Sequence, residues 1–161
     1  MAKSAAATIV KVVALLTVGH SNHTLEAFLE LLGQHRVALV ADIRSIPHSK
    51  RHPHFSRDAL EAALRVRGIG YRHFPALGGK REISYAGHMA TLQFRAGLDQ
   101  LLAAANDGIV TAMCAEADPL HCHRRLVADA AAARGGEVRH ILPGGGIRNH
   151  EYHPGLFDGG E

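Results

Sequence analysis

The stretch VALVADIRS, Val37 to Ser45, decides the architecture. It begins as an unbroken apolar run and ends abruptly in Asp42, Arg44 and Ser45. A short run with no polar alternation is a strand buried on both faces, the habit of parallel sheets covered by helices. Its charged end then marks the carboxyl end of the strand. Open parallel sheets bind their ligands there.

The same logic extends outward. Upstream, the segment from about Ile9 to Val18 is a second apolar, β-branched run. Thr24 is a good N-cap for LEAFLELLGQH, where Leu25, Phe28, Leu29 and Leu32 share one helical face. Downstream, PHSKRHPHF reads as a loop, and Ser56 precedes the helix RDALEAALRVRG, closed by Gly68. IGYRHFP is a third strand and ALGGKREISYAG a glycine-punctuated loop. A helix follows from about Gly87 to Asn106, with Leu98, Leu101 and Leu102 inward. IVTAMC is a fourth strand, CHRRLVADAAAARGG a helix and EVRHIL a fifth strand, before a Gly-rich tail.

The order β-α-β-α-β-α-β-α-β predicts a single-domain α/β fold. Its five-stranded, mostly parallel sheet carries helices on both faces, a Rossmann-like or flavodoxin-like three-layer arrangement. The expected limits are a flexible N-terminus over 1–8, the domain over 9–154 and a tail over 155–161.

Composition agrees. A chain of 161 residues with 47% hydrophobic content can bury one core. There is no Trp and aromatics are 5%, so Ala, Leu and Val must fill most of it. A net charge of +3 permits an anionic ligand without requiring nucleic acid. Two Cys make no disulfide framework, which fits a reducing, cytoplasmic setting. The apolar AAATIVKVVALLTVG is interrupted by Lys11 and too short to span a bilayer, so no membrane partner is expected.

The expected strand ends gather the reactive side chains on one rim. His20 and Ser21 follow strand one; Asp42, Arg44 and Ser45 follow strand two. His73, Pro75, Gly78 and Gly79 follow strand three, and His140 ends strand five. After strand four comes the densest packet, CAEADPLHCHRR, with both cysteines.

That packet supports three chemistries. A thiol near a helix N-terminus, beside His and Arg, is a candidate nucleophile or redox group, and Glu116 could move a proton. Cys114 and Cys122, with seven residues between them, could close a reversible disulfide. Cys114, Cys122 and a His such as His123 form a soft N/S set for zinc or iron. Arg44 and Arg124, with free N–H groups of a helix end, could cradle phosphate or another anion. The plain alternative makes Cys114 a small buried hydrophobe and the arginines surface charges. The basic loop SKRHPHFSR could instead track a nucleic-acid backbone.

Five motifs occur together in order: TVGHSNHTLEAFLELL, VADIRSIPHSKRHPHFSRDAL, YRHFPALGGKRE, MCAEADPLHCHRRLVAD and VRHIL with a later His-x-x-x-Pro. In this combination the chain resembles the DUF488 family from about Thr17 to Pro154. The resemblance implies a compact α/β domain with these motifs as its site, and it implies no reaction. After LGG the segment KREISYAGHM is shorter than in that pattern and lacks Trp.

The residues therefore point to an enzyme on an anionic small molecule or nucleotide, using thiol or metal chemistry at the sheet rim. Cys114 is the candidate nucleophile or ligand and Glu116 the acid/base, with Cys122 and His123 as partner thiol and imidazole. Arg44 and Arg124 would hold the anion, and Asp42 would orient Arg44. His20, Ser21, Ser45, Gly78 and Gly79 would complete the substrate rim. The competing class is a non-catalytic nucleic-acid-binding accessory that uses the loop over 44–57.

Overall fold

The computed structural model describes residues 14–79, 84–119 and 122–151. The expected flexible start, the first part of strand one and the end of the tail lie outside them.

The parallel strands stand where apolar runs predict them: β1 Ala14–Gly19, β2 Leu39–Asp42, β3 Gly70–His73, β4 Val110–Cys114 and β5 Glu137–Ile141. Helices connect them: α1 Leu25–Gln34, α2 Arg57–Val66, α3 Tyr85–Met89, α4 Leu92–Asp107 and α5 Arg124–Ala133. The sheet order is β3-β2-β4-β1-β5-β6. β4 is buried along its whole length beside β1, whereas β3, at the edge, alternates between exposed and half-buried.

Side-chain alternation splits the core into two layers. On one face Leu15, Ala41, Ile43, Ala112, Cys114 and Val138 pack under α4 and α5, through Phe94, Leu98, Leu101 and Val127. On the other Val18, Val40, Met113 and Ile141 pack under α1 and α2, through Phe28, Leu32, Leu60 and Leu64. The three-layer architecture expected from the sequence is present. Its strand order is neither the 3-2-1-4-5-6 of dinucleotide-binding sheets nor the 2-1-3-4-5 of flavodoxin. Here β4 lies between β2 and β1.

Two expectations change. A sixth strand, β6 Ile147–Asn149, pairs antiparallel with β5, so the described sheet has six strands rather than five. The turn between them closes with Leu142 N–H to Gly146 O and Gly145 N–H to Leu142 O, Gly145 having φ +98. Its glycines form a hairpin turn, a form open to glycine because of the positive φ. The helix expected over 87–106 is two helices. Ser84 Oγ accepts from Gly87 N–H and starts α3; Thr91 Oγ1 accepts from Phe94 N–H and starts α4. Two N-caps seven residues apart break the run.

Candidate active site: a thiol pair at the strand ends

The topology opens a crevice between β1 and β4. From β1 the chain leaves through α1 toward β2; from β4 it leaves through α5 toward β5, on the opposite face. Such reversal points are where open α/β sheets hold ligands. The two strand ends stay bonded past the sheet, His20 N–H to Cys114 O and Ser21 N–H to Ala115 O, both 2.9 Å. Ser21 takes φ 48 there, an uncommon conformation for a residue with a Cβ. Gly19 lies so close beneath the β4–α5 loop that a Cβ would fall 1.7 Å from Glu116 O.

A cleft of about 520 Å³ opens at this point. His20, Arg44, Ser45, Cys114, Cys122 and His123 line it. Gly79 and Glu116 reach its rim. Ser21, Asp42, Gly78 and Arg124 stand outside the lining and act on it through neighbours. A larger cavity of about 800 Å³ lies at the opposite end of the sheet, walled by Ala14, Ala105 and Ile147 among others. It borders the point where the described chain begins, and no thiol or hydroxyl among the described residues lines it.

The two thiols are unlike. Cys114 is 1% exposed. A hydrogen bond with Cys122, then burial, hold its pKa well above that of a free thiol. Cys122 is pushed down to about 4, first by the hydrogen bond from Cys114, against burial, and then by His123. Arg124 N–H also donates to Cys122 Sγ at 3.3 Å. Cys122 lies just before the N-cap His123 rather than in the first turn of α5, as the sequence reading had it. From there its sulfur accepts one of the N–H groups that a helix start leaves unpaired. Of the two, Cys122 is the half-buried sulfur with the lowered pKa, and Cys114 is the enclosed one.

His123 supports that charge. Its Nδ1 is 3.5 Å from Cys122 Sγ, and its Nε2–H donates to Ile43 O at 2.9 Å. Burial opposes its protonation, but the hydrogen bond and charge of Cys122 and the Ile43 carbonyl outweigh this and raise its pKa. Thiol and imidazole thus form a pair whose pKa values shift in opposite directions. Gly79 is pressed against it, since a Cβ there would lie 2.8 Å from His123 Nδ1.

At the same cleft, Asp42 holds Arg44 in a bidentate pair, Nε to Oδ1 at 2.8 Å and Nη2 to Oδ2 at 2.7 Å. Arg44 N–H adds a third bond to Oδ1, and Tyr71 OH donates to Oδ2 at 2.5 Å. His20 stacks on Phe55, its ring centroid 4.5 Å away. Its Nδ1–H donates to Ser21 O at 3.0 Å, which leaves Nε2 as an acceptor 3.4 Å from Arg44 Nη1. Burial above all, and then Arg44, bring the His20 pKa down to about 4. His20 is neutral at pH 7. Tyr71 was not marked in the sequence, and Phe55 only as part of the basic loop SKRHPHFSR. A Tyr on a strand and a Phe in a loop carry no motif that predicts a partner across the sheet.

Arg124 differs from the expected anion ligand. It is 0% exposed, and its Nη2 donates to Glu116 O and Ala117 O at 3.2 and 3.1 Å. Its Nε and Nη1 have no partner among the described residues. It ties down the β4–α5 loop and places a buried positive charge near Cys114. Glu116 contributes its carbonyl to this network and to Cys114 Sγ, at 3.6 Å, while its side chain is exposed at the cleft rim. His73 turns to Arg44 O at 2.7 Å. Gly78 packs on Ser45, where a Cβ would come within 2.5 Å of Oγ.

His140 belongs to a separate cluster. Thr17 Oγ1 contacts His140 Nδ1 at 2.5 Å, His140 Nε2 contacts His150 Nδ1 at 2.9 Å, and His150 Nε2 contacts Asp129 Oδ1 at 2.6 Å. The carboxylate at one end fixes the tautomers: His150 donates to Asp129, His140 to His150, and Thr17 to His140. Burial chiefly, with the charges of His150 and Arg124, lowers His140 to about 3. No group of three His, Cys, Asp or Glu among the described residues is arranged to hold a metal. No helix among them is long and apolar enough to cross a membrane.

Residues 24–131, more than half of the chain, match the family described as Domain of unknown function DUF488. The match begins after the GHS motif and ends within α5, so β5 and β6 lie beyond it. No curated protein and no solved structure matches the chain. On the matched span, which holds the D-I-R-S and C-H-R motifs with both thiols, the chain belongs to the DUF488 family.

Proposed function

We propose that the protein is a thiol-dependent enzyme in which Cys122 attacks an electrophilic centre of a small anionic substrate, a nucleotide among the candidates. The observation that carries this is Cys122 Sγ itself. It lies in a cleft of ligand size, with His123 and the Arg124 amide bonded to it and the Cys114 thiol lining the same cleft. In the reaction the sulfur bonds to the electrophile, the bond to the leaving group breaks, and the His123 imidazolium supplies the departing group with its proton. Glu116, exposed at the rim, is then free for substrate contact rather than proton transfer.

Arg44 supports an anionic substrate. Asp42 fixes its Nε and Nη2, and Nη1 stays at the cleft edge beside His20. Thiol chemistry is favoured over zinc or iron because both His123 nitrogens are engaged, one by Ile43 O and one by Cys122. An unoxidised pair with this reactivity suits the reducing cytoplasm.

Competition between iodoacetate and iodoacetamide tests the reading. Cys122 should be the residue alkylated, with iodoacetate favoured several-fold relative to a free cysteine. Labelling of Cys114 first, or no preference for the anion, would defeat it. Lys50 and Arg51 are exposed on the basic loop, so a nucleic-acid accessory role makes the opposite forecast. Single-stranded nucleic acid would bind with an affinity indifferent to Cys122→Ser and lowered by Lys50→Ala and Arg51→Ala.

A further inference from the structure

The thiols are placed for more than substrate attack. Cys114 ends β4 and Cys122 precedes α5, and both line one cleft. Both are free, and each stands foremost among the causes of the other's pKa shift. Cys122 also packs on the core cluster that contains Cys114. Two thiols that share a cleft wall and a core cluster are neighbours, as a disulfide requires. The segment between them carries no strand or α-helix among its described residues.

We propose that the site is a redox switch: a hydroperoxide oxidises Cys122, Cys114 resolves the product, and the resulting disulfide turns the enzyme off. The proposal rests on the reading of Cys122 as the nucleophile. In the first step Cys122 S⁻ attacks the hydroxyl oxygen of ROOH. An S–O bond forms, the O–O bond breaks, and RO⁻ takes the proton of the His123 imidazolium and leaves as ROH. In the second step Cys114 attacks the Cys122 sulfenic acid. An S–S bond forms, the S–O bond breaks, and hydroxide leaves with the Cys114 proton as water. One hydroperoxide is reduced, two thiols are oxidised, and ROH and water are the products.

The division of labour follows from the surroundings. Cys122 faces the cleft and is ionised, as peroxide attack requires. Cys114 is enclosed, so it meets an oxidised Cys122 more readily than an external oxidant. Burial also shields it from overoxidation. Arg124 lies within electrostatic reach of Cys114 and favours the thiolate that the second step needs. Once the disulfide forms, the nucleophile is gone and His123 loses its charged partner. Reduction by a small dithiol restores both.

The test treats the anaerobically reduced full chain with one equivalent of hydrogen peroxide and follows it by intact mass, peptide mapping and alkylation. The expected product has lost two hydrogens and carries an internal Cys114–Cys122 bridge. Alkylation at Cys122 is lost and returns with dithiothreitol. Cys114→Ser should stop one step earlier, gaining one oxygen at Cys122 that dimedone traps. Cys122→Ser should leave Cys114 a thiol. Wild-type protein that accumulates oxygen at Cys122 while Cys114 stays alkylatable would overturn the switch, as would a bridge between two chains. Low-pH alkylation of the untreated protein separates the two readings. If Cys122 reacts there but no bridge forms, the switch fails and the nucleophile stands. If Cys122 is inert in both assays, both fail.

Discussion

At the scale of single residues, the charge on Cys122 depends on close approaches that glycines permit. Gly19→Ala would drive a Cβ into the Glu116 carbonyl, 1.7 Å away, and push back the loop that Arg124 ties down. The expected cost is about 3 kcal/mol, at the upper end for overpacking, read as a lower denaturant midpoint. Gly79→Ala meets a side chain instead and should cost less stability. By displacing His123 it should raise the Cys122 pKa, which the pH profile of alkylation measures. Asp42→Asn leaves the buried Arg44 without its countercharge, and a loss of about 3–5 kcal/mol is expected in chemical denaturation. The sequence showed that Cys114, Cys122, His123 and Arg44 belong together, because strand ends and motif order place them on one rim. It did not show which thiol is ionised. That depends on which sulfur receives the hydrogen bond and on a one-residue difference in where α5 begins. Nor did it separate Arg44, at the cleft, from Arg124, which is fully enclosed.

At the scale of elements, apolar runs and caps located five strands and most helices, and failed where glycine was ambiguous. PGGG suits a hairpin turn and a loose tail equally, and β6 is short with exposed side chains. What holds β6 is tertiary: His150, just beyond it, bonds His140 of β5 and Asp129 of α5. This buried triad clasps the last described segment to the helix that follows Cys122. His150→Ala strips a donor from Asp129 and an acceptor from His140. A loss of about 3 kcal/mol is expected, a fall in Tm of roughly 10 °C. If the clasp acts on the fold alone, Cys122 should alkylate at an unchanged rate in the folded variant. A variant as stable as the parent would show that the contacts carry no net energy.

At the scale of the whole molecule, the three-layer architecture was legible because each buried strand is a continuous apolar run between helical segments. The strand order was not, since it depends on which strand each crossover reaches. That order brings β1 beside β4 and so the GHS segment beside the thiols. It also buries two histidines in neutral form. His20, at about 4, and His140, at about 3, both lie below the ordinary value near 6.5. Between pH 6.5 and about 3 the unfolded chain therefore binds protons that the folded chain refuses, so the contribution of these histidines to stability is full above pH 6.5 and is lost as pH drops through that window. Urea midpoints measured across it should decline toward acid, and a flat profile would remove the neutral-histidine assignment.

The claim beneath all of this is that Cys122 is a thiolate in the resting protein. It is tested most directly by the pH dependence of thiolate ultraviolet absorbance in the reduced wild type, with Cys122→Ser and Cys114→Ser as references. One thiolate should already be present at pH 6, titrating with a midpoint far below that of a free thiol, and it should vanish in Cys122→Ser. Absorbance that appears only in the alkaline range, or a signal that persists without Cys122, would contradict the assignment of the nucleophile.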